Sequence, residues 1–399
     1  MANADLPGLL ARARRAMGAR DYATARALWS QSLEIDPRSI AAWLNLAGAC
    51  RQLDDLRGAF AALREVLRLD PRNFHALLMN GSLLEREGRH RAAAAAYGAA
   101  LANAPPESHL DSATCAALEH ARAFHAKHTR ELGDFIRAET AEARARCAPA
   151  GRRRVDAFID MALRLRKRYR QEPTDYFYPG LPAIEFYDRD EFPWLAELEA
   201  AGDGIRAELE AILREDAQGF EPYIQYDDHL PLDQWRELNH SPRWSAFHFF
   251  DRGRPIEERL RRAPATAGVL EMLPQPHVQE RSPSALFSVL QPKTRIPPHT
   301  GVANFRLVVH LPLIVPGRCG FRVGGETREW RVGEAWVFDD TIEHEAWNDS
   351  DEPRVILICD IWSPRLAAEE REAIAAVIAA ADAFGGAQAE TAERAAREI

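Results

Sequence analysis

The chain has 399 residues, 46% of them hydrophobic and 28% charged, with a formal net charge of −9. That length holds two or three domains, each with its own core, and the negative balance argues against a nucleic-acid partner. No apolar run approaches the ~18 residues that an integral membrane segment needs. The 5 cysteines (Cys50, Cys115, Cys147, Cys319 and Cys359) form neither a CxxC pair nor a disulfide framework. With an opening MANADLPGLLARARR that lacks the parts of a secretory signal, the expectation is a cytoplasmic chain.

The first feature in chain order is a repeat. Pro37, Pro71 and Pro105 stand 34 residues apart, and Ala25, Ala59 and Ala93 keep the same spacing. Segments 6–39, 40–73 and 74–107 each carry two helical patterns and a terminal turn such as IDPRS or LDPRN. Trp43, Leu46, Ala59 and Pro71 fall where a tetratricopeptide repeat (TPR) needs large, large, small and helix-ending residues. A small alanine lets paired helices approach, and proline stops the second one. Three TPR units over 6–107 are therefore expected, as a surface that recruits a protein or peptide, with a rigid spacer or dimerisation surface as the alternative.

Residues 108–172 are expected to continue as a helical linker without the period. Within it, GRRRVDAFIDMALRLRKRYRQ is basic, with Val155, Phe158, Ile159, Ala162 and Leu163 at helical spacing. One buried stripe is the expectation there, and contact with an anionic membrane surface the alternative.

From about residue 173 prolines and aromatics multiply, and after 284 β-branched alternation takes over. ALFSVL, NFRLVVHLPLIV, GFRVGGETREWRV, GEAWVFDD, HEAWNDS and RVILICDIW read as strands, with turn signals at 316–317, 324–325 and 348–353. The expected architecture is an all-α TPR solenoid followed by a double-stranded β-helix (jelly-roll or cupin-like) with flanking helices. The domain would span 173–365, followed by a helix and tail over 366–399 whose last 15 or so residues are expected to fray.

Chemistry concentrates in this second half. His299 lies in PPHTGVANFRLVVHLP, but Thr300 and Gly301 follow it where the facial triad of a non-haem Fe(II) oxygenase places an acid. His344 lies in FDDTIEHEAWND, and Arg354 stands ten residues later at the head of RVILICDIW. A first His, a distal His and then a basic residue is the layout of 2-oxoglutarate oxygenases. Two neutral imidazoles suit Fe(II), and a guanidinium forks onto a carboxylate. Between them, Asn304, Arg306, Val308 and His310 share one face of a strand, and a buried Arg and His need polar partners there.

The stretches PHTGVANFRLVVHLPL, VFDDTIEHEAW and PRVILICDIWSP resemble the aspartyl/asparaginyl β-hydroxylase family, and so do FYPGLPAIEFYDRDEFPWLAELEA and WSAFHFFDRG upstream. The likeness covers roughly 177–364, and TPR units ahead of the oxygenase domain also occur in that family. It implies that Gly301 in place of an acid is a family trait, with water at the vacant ligand position. His299 and His344 would then be the protein ligands to Fe(II), with 2-oxoglutarate as co-substrate and O2 as oxidant. It further implies Ser288 and Arg354 on the distal carboxylate of 2-oxoglutarate, His310 on the carboxylate beside its keto group, and Asp340 on the metal-bound water. Trp244 would be an active-site tryptophan and Arg306 a basic residue near the substrate.

One position departs from the family pattern: Val308 stands where a second Arg meets an acidic substrate side chain. The expected function is hydroxylation of an Asp- or Asn-like side chain of a protein or peptide. The alternatives are a non-catalytic TPR and cupin-like scaffold, or a hydroxylase of a free amino acid or other small molecule.

Overall fold

A computed structural model describes residues 6–227, 229 and 233–397, and the chain divides into two compact units, Met1–Leu165 and Arg166–Ile399. In the first unit, helices α1 (Leu6–Gly18), α2 (Tyr22–Ile35), α3 (Ile40–Gln52), α4 (Leu56–Leu69), α5 (Phe74–Arg86) and α6 (His90–Ala102) pair in sequence. The period fixes the caps. Asp21 and Asp55 accept the third backbone N–H of α2 and α4, and Ser39 and Asn73 do the same for α3 and α5. Arg89 breaks the series and gives α6 no side-chain cap. Ala25, Ala59 and Ala93 are fully buried where the paired helices meet. This is a TPR-like solenoid.

Helices α7 (Ser112–Glu139), α8 (Ala141–Ala145) and α9 (Pro149–Ala162) follow. The stripe expected on α9 is not buried as a whole: Ile159 is, but Phe158 is 69% exposed. Ion pairs Arg144–Asp156 and Arg137–Asp160 hold α9 instead. Helix also stops at Ala162 rather than continuing to 172, because Arg164, Arg166, Lys167, Arg168 and Arg170 crowd like charges into one short stretch.

The second unit is a two-sheet sandwich. Helices α10 (Leu195–Ala200) and α11 (Gly202–Glu215) precede strands β1 (Glu221–Pro222) and β2 (Trp244–His248), the hairpin β3 (Phe250–Asp251) and β4 (Arg254–Pro255), and helices α12 (Glu257–Arg262) and α13 (Pro264–Met272). The remaining strands are β5 (Ala285–Leu290), β6 (Thr294–His299), β7 (Arg306–Ile314), β8 (Cys319–Val323), β9 (Glu326–Arg328), β10 (Trp336–Phe338), β11 (His344–Asn348) and β12 (Arg354–Trp362). Antiparallel ladders give a six-stranded sheet in the order β1-β2-β5-β12-β7-β10 and a four-stranded sheet β6-β11-β8-β9. Among the described residues no ladder joins the two, so the double-stranded arrangement is a sandwich and not a closed barrel.

One face of the large sheet buries Phe247, Val289, Leu311, Val337 and Leu357 against Leu198, Ile205, Leu209 and Ile212 of the helices. Its other face packs Trp244, Leu290, Phe338 and Ile356 with Ile296, Phe321, Val323 and Ala346 of the small sheet.

Strand β6 escaped the sequence reading because Pro297 and Pro298 lie inside it. It is an edge strand, where missing N–H groups cost no ladder bond. The last helix, α14 (Ala368–Arg397), continues through the stretch expected to fray, since AQAETAERAAR is made of strong helix formers. Among the described residues no helix is long and apolar enough to cross a membrane.

Candidate active site

Alternation along the strands builds the site. On β12, Val355, Leu357, Cys359 and Ile361 enter the core beneath the helices, while Arg354, Ile356, Ile358 and Asp360 turn into the gap between the sheets. There they line a cavity of about 770 Å³. His299, His344, Ser288, Arg354, His310, Asp340, Arg306 and Trp244, all singled out from the sequence, line this same cavity. Asn304 does not. It precedes β7 and its side-chain amide instead holds the 171–178 segment, donating to Tyr178 O and Gln171 Oε1 and accepting from Tyr178 N–H.

The two histidines meet because β6 and β11 are ladder neighbours. His299 ends one strand, His344 begins the other, and they are register partners with ring centroids 4.1 Å apart. Each ring turns Nδ1 onto the carbonyl two residues upstream, Pro297 O at 2.8 Å and Ile342 O at 3.1 Å. With Nδ1 held by the backbone, Nε2 is the atom left for a ligand. Burial pushes His299 down to about 3 and His344 down to about 4, so both imidazoles are neutral at pH 7. Among the described residues no cluster of three or more His, Cys, Asp and Glu side chains is placed to hold a metal ion.

Gly301 and Asp340 explain each other. A Cβ on Gly301 would overlap Asp340 Oδ2, so the carboxylate already fills the space where a side chain at 301 would begin. Asp340 accepts from Arg306 Nη2 at 2.9 Å through Oδ2, while its buried Oδ1 has no protein partner. Burial raises its pKa, against the opposing pull of Arg306 and His299.

The far end of the cavity is organised around Arg354, which is 1% exposed and forms no ion pair among the described residues. Its Nε has no partner, and its Nη1 donates to Ser288 O only at the long distance of 3.5 Å. Burial lowers its pKa to about 10, which leaves it cationic at neutral pH. His310 is neutral there, held well below its usual value first by burial and then by Arg354, and its buried Nδ1 is also unpartnered. Trp244 Nε1 donates to Ser288 Oγ at 3.1 Å, which fixes the serine hydroxyl at the same end.

Three aromatic residues of the site went unnoticed in the sequence. Trp330 stacks on the Arg354 guanidinium at 4.8 Å, Tyr223 lies parallel to Trp244 at 4.0 Å, and Trp235 meets His299 edge-on at 5.0 Å. Of these, Trp330 left a usable trace: a lone tryptophan flanked by Glu329 and Arg331 has no reason to stand there unless the charges face out and the ring faces in.

Residues 199–364 match the family described as Aspartyl/Asparaginyl beta-hydroxylase. This chain carries a domain of that family. Human Aspartyl/asparaginyl beta-hydroxylase is 36% identical over 149 residues, 37% of this chain and 19% of the human protein. The Ornithine lipid ester-linked acyl 2-hydroxylase of Rhizobium tropici is 34% identical over 196 residues, 48% of this chain and 66% of that one. Aspartate beta-hydroxylase domain-containing protein 2 of Xenopus tropicalis is 32% identical over 214 residues, 52% and 55% of the two chains. The chain thus spans between 19% and 66% of the length of these relatives.

Among solved structures, the Sgt2 TPR domain from Aspergillus fumigatus is similar to 32% of this chain and 83% of that domain, at 20% identity and a TM-score of 0.28. The helical repeats here are assigned on their own spacing and pairing. The family match places residues 199–364, within the second unit, beside the hydroxylases named above.

Proposed function

We propose that this protein is an Fe(II)- and 2-oxoglutarate-dependent dioxygenase that hydroxylates a C–H bond of a protein or peptide side chain, with the TPR units recruiting that substrate. The observation that carries the reading is Arg354. A buried cation without a counter-ion is costly unless a ligand completes it, and this one shares a cavity with two neutral, backbone-oriented imidazoles.

The residues fit the group. Two neutral nitrogen donors suit Fe(II), and the orphaned Asp340 Oδ1 offers an acceptor to a water in the position a third protein ligand would take. Bound there, iron and 2-oxoglutarate would supply O2-dependent C–H hydroxylation coupled to oxidative decarboxylation of the keto acid. The protein's own part is binding and orientation. His299 and His344 hold the metal, with tautomers set by Pro297 O and Ile342 O. The Arg354 fork and the Ser288 hydroxyl take the distal carboxylate, and His310 the carboxylate beside the keto group. Trp330 sets its ring against the guanidinium. Arg306 anchors Asp340, and Trp244 orients Ser288.

A second reading replaces the peptide by an acyl chain. It is favoured by the match to the Rhizobium tropici acyl 2-hydroxylase, which covers 66% of that protein.

Anaerobic titration with Fe(II) and then 2-oxoglutarate tests the proposal. The expected result is a visible charge-transfer band of a chelated keto acid that is lost in His299→Ala. A folded protein that never develops the band refutes it.

A further inference from the structure

The other end of the cavity carries information about the substrate, given the co-substrate end proposed above. Strand register sets out its wall. Leu286, Ile358 and His310 are partners across β5, β12 and β7, and Val308 pairs with Asp360 in the row beyond. Leu286, Val308 and Ile358 therefore form one contiguous aliphatic patch on the cavity face, running from the His310 row toward Arg306, in the cavity that His299 and His344 also line.

The charged groups around this patch are already matched to each other. Arg306 binds Asp340 at 2.9 Å and also faces Asp360. Asp360 in turn accepts from the Ser282 hydroxyl at 3.0 Å and the Ser284 N–H at 2.8 Å. Arg281, the other cation at this end, is paired with Asp382 at 2.7 Å. Among the described lining residues here, no arginine or lysine is left for an incoming anion. A carboxylate placed on the patch would add a third negative charge around Arg306 and lose its water without gaining a donor.

We propose that the group this site oxidises is uncharged and mainly aliphatic at the carbon presented to the histidines, and that an aspartate side chain is rejected. Leu286, Val308 and Ile358 are the specificity-determining residues. Val308 is decisive, because it sits one row from His310 and directly opposite Asp360, where a longer cation would change the balance of charge.

The test uses the full chain loaded anaerobically with Fe(II) and 2-oxoglutarate, and reads binding as perturbation of the charge-transfer band. The probes are acetylated, amidated nonapeptides that differ only in a central Leu or Asp, and a decanoyl amide that separates an acyl chain from a peptide side chain as the source of the aliphatic group. The expected result is that a neutral probe binds at least about tenfold more tightly than the Asp peptide. Val308→Arg is expected to tighten the Asp peptide by about tenfold, while Val308→Gln, similar in bulk but uncharged, gives no such gain.

Equal or tighter binding of the Asp peptide to the natural protein overturns the inference. So does failure of every neutral probe to bind at about 10 mM, or an equal gain from Gln and Arg. In each case the band itself persists and the proposed function stands. Absence of the band removes the proposed function first.

Discussion

The two ends of the cavity each hold an arginine on the same sheet, Arg354 fully buried and Arg306 partly so, and the two could hardly be situated more differently. Arg354 on β12 has an aromatic ring against its face and no carboxylate. Arg306 on β7 has Asp340 at hydrogen-bonding distance and Asp360 beyond it. The first is a charge that the fold leaves incomplete, and the second is a charge that the fold has already satisfied. Position in the cavity alone does not make an arginine a ligand site; its surplus of charge does.

That contrast can be broken most severely at the centre. His344→Ala removes one of the two histidines proposed to hold iron, so iron binding and turnover should both fall below detection, measured by metal content and succinate release. Retention of full activity would remove the metal site from between the two ends.

The arginines themselves should respond with opposite signs. Arg306→Met leaves Asp340 and Asp360 buried without their cation, and an uncompensated buried charge costs about 3–5 kcal/mol. Chemical denaturation should show that loss. Arg354→Met removes a buried charge that has no partner, so the protein without 2-oxoglutarate should become more stable, with Tm rising by about 2–4 °C per kcal/mol gained. The same change should weaken 2-oxoglutarate binding by about 10- to 150-fold, the equivalent of one charge-assisted contact of ~1.5–3 kcal/mol. Two losses of stability of similar size would show that Arg354 is structural.

How much of this was legible in the sequence depended on the range of the signal. The solenoid was readable because its instructions are local and periodic: alanines, prolines and caps recur with one spacing. Strands ALFSVL and RVILICDIW were readable from their composition, and the site residues from motifs whose spacing survives without knowledge of the fold.

Information carried between distant segments was not readable. Strand β6 is a strand only because it lies at a sheet edge, which TRIPPH does not announce. Asn304 alternates in phase with His310, yet its side chain is drawn off to the 171–178 segment. Trp330 reaches Arg354 across a turn and a sheet. The saturation of Arg306 depends on Asp340 and Asp360, 34 and 54 residues downstream, and no local pattern records it.

Gly301 gives the finest test, because it asks whether the missing carboxylate is an absence or a substitution. In the folded chain the space beside Gly301 belongs to Asp340, and any Cβ there must displace the carboxylate that Arg306 holds. Gly301→Ala should therefore cost about 1–3 kcal/mol by overpacking, read by thermal denaturation, even though alanine is normally the milder residue for backbone entropy. Gly301→Asp should follow it and bind iron more weakly than the natural protein, since a second carboxylate would compete with Asp340 for the same volume and for Arg306. Were Gly301→Asp instead to bind iron more tightly, a triad ligand would have room after all. The balance between Asp340 and Arg306, and with it the claim that this end of the cavity has no charge to spare, would have to be redrawn.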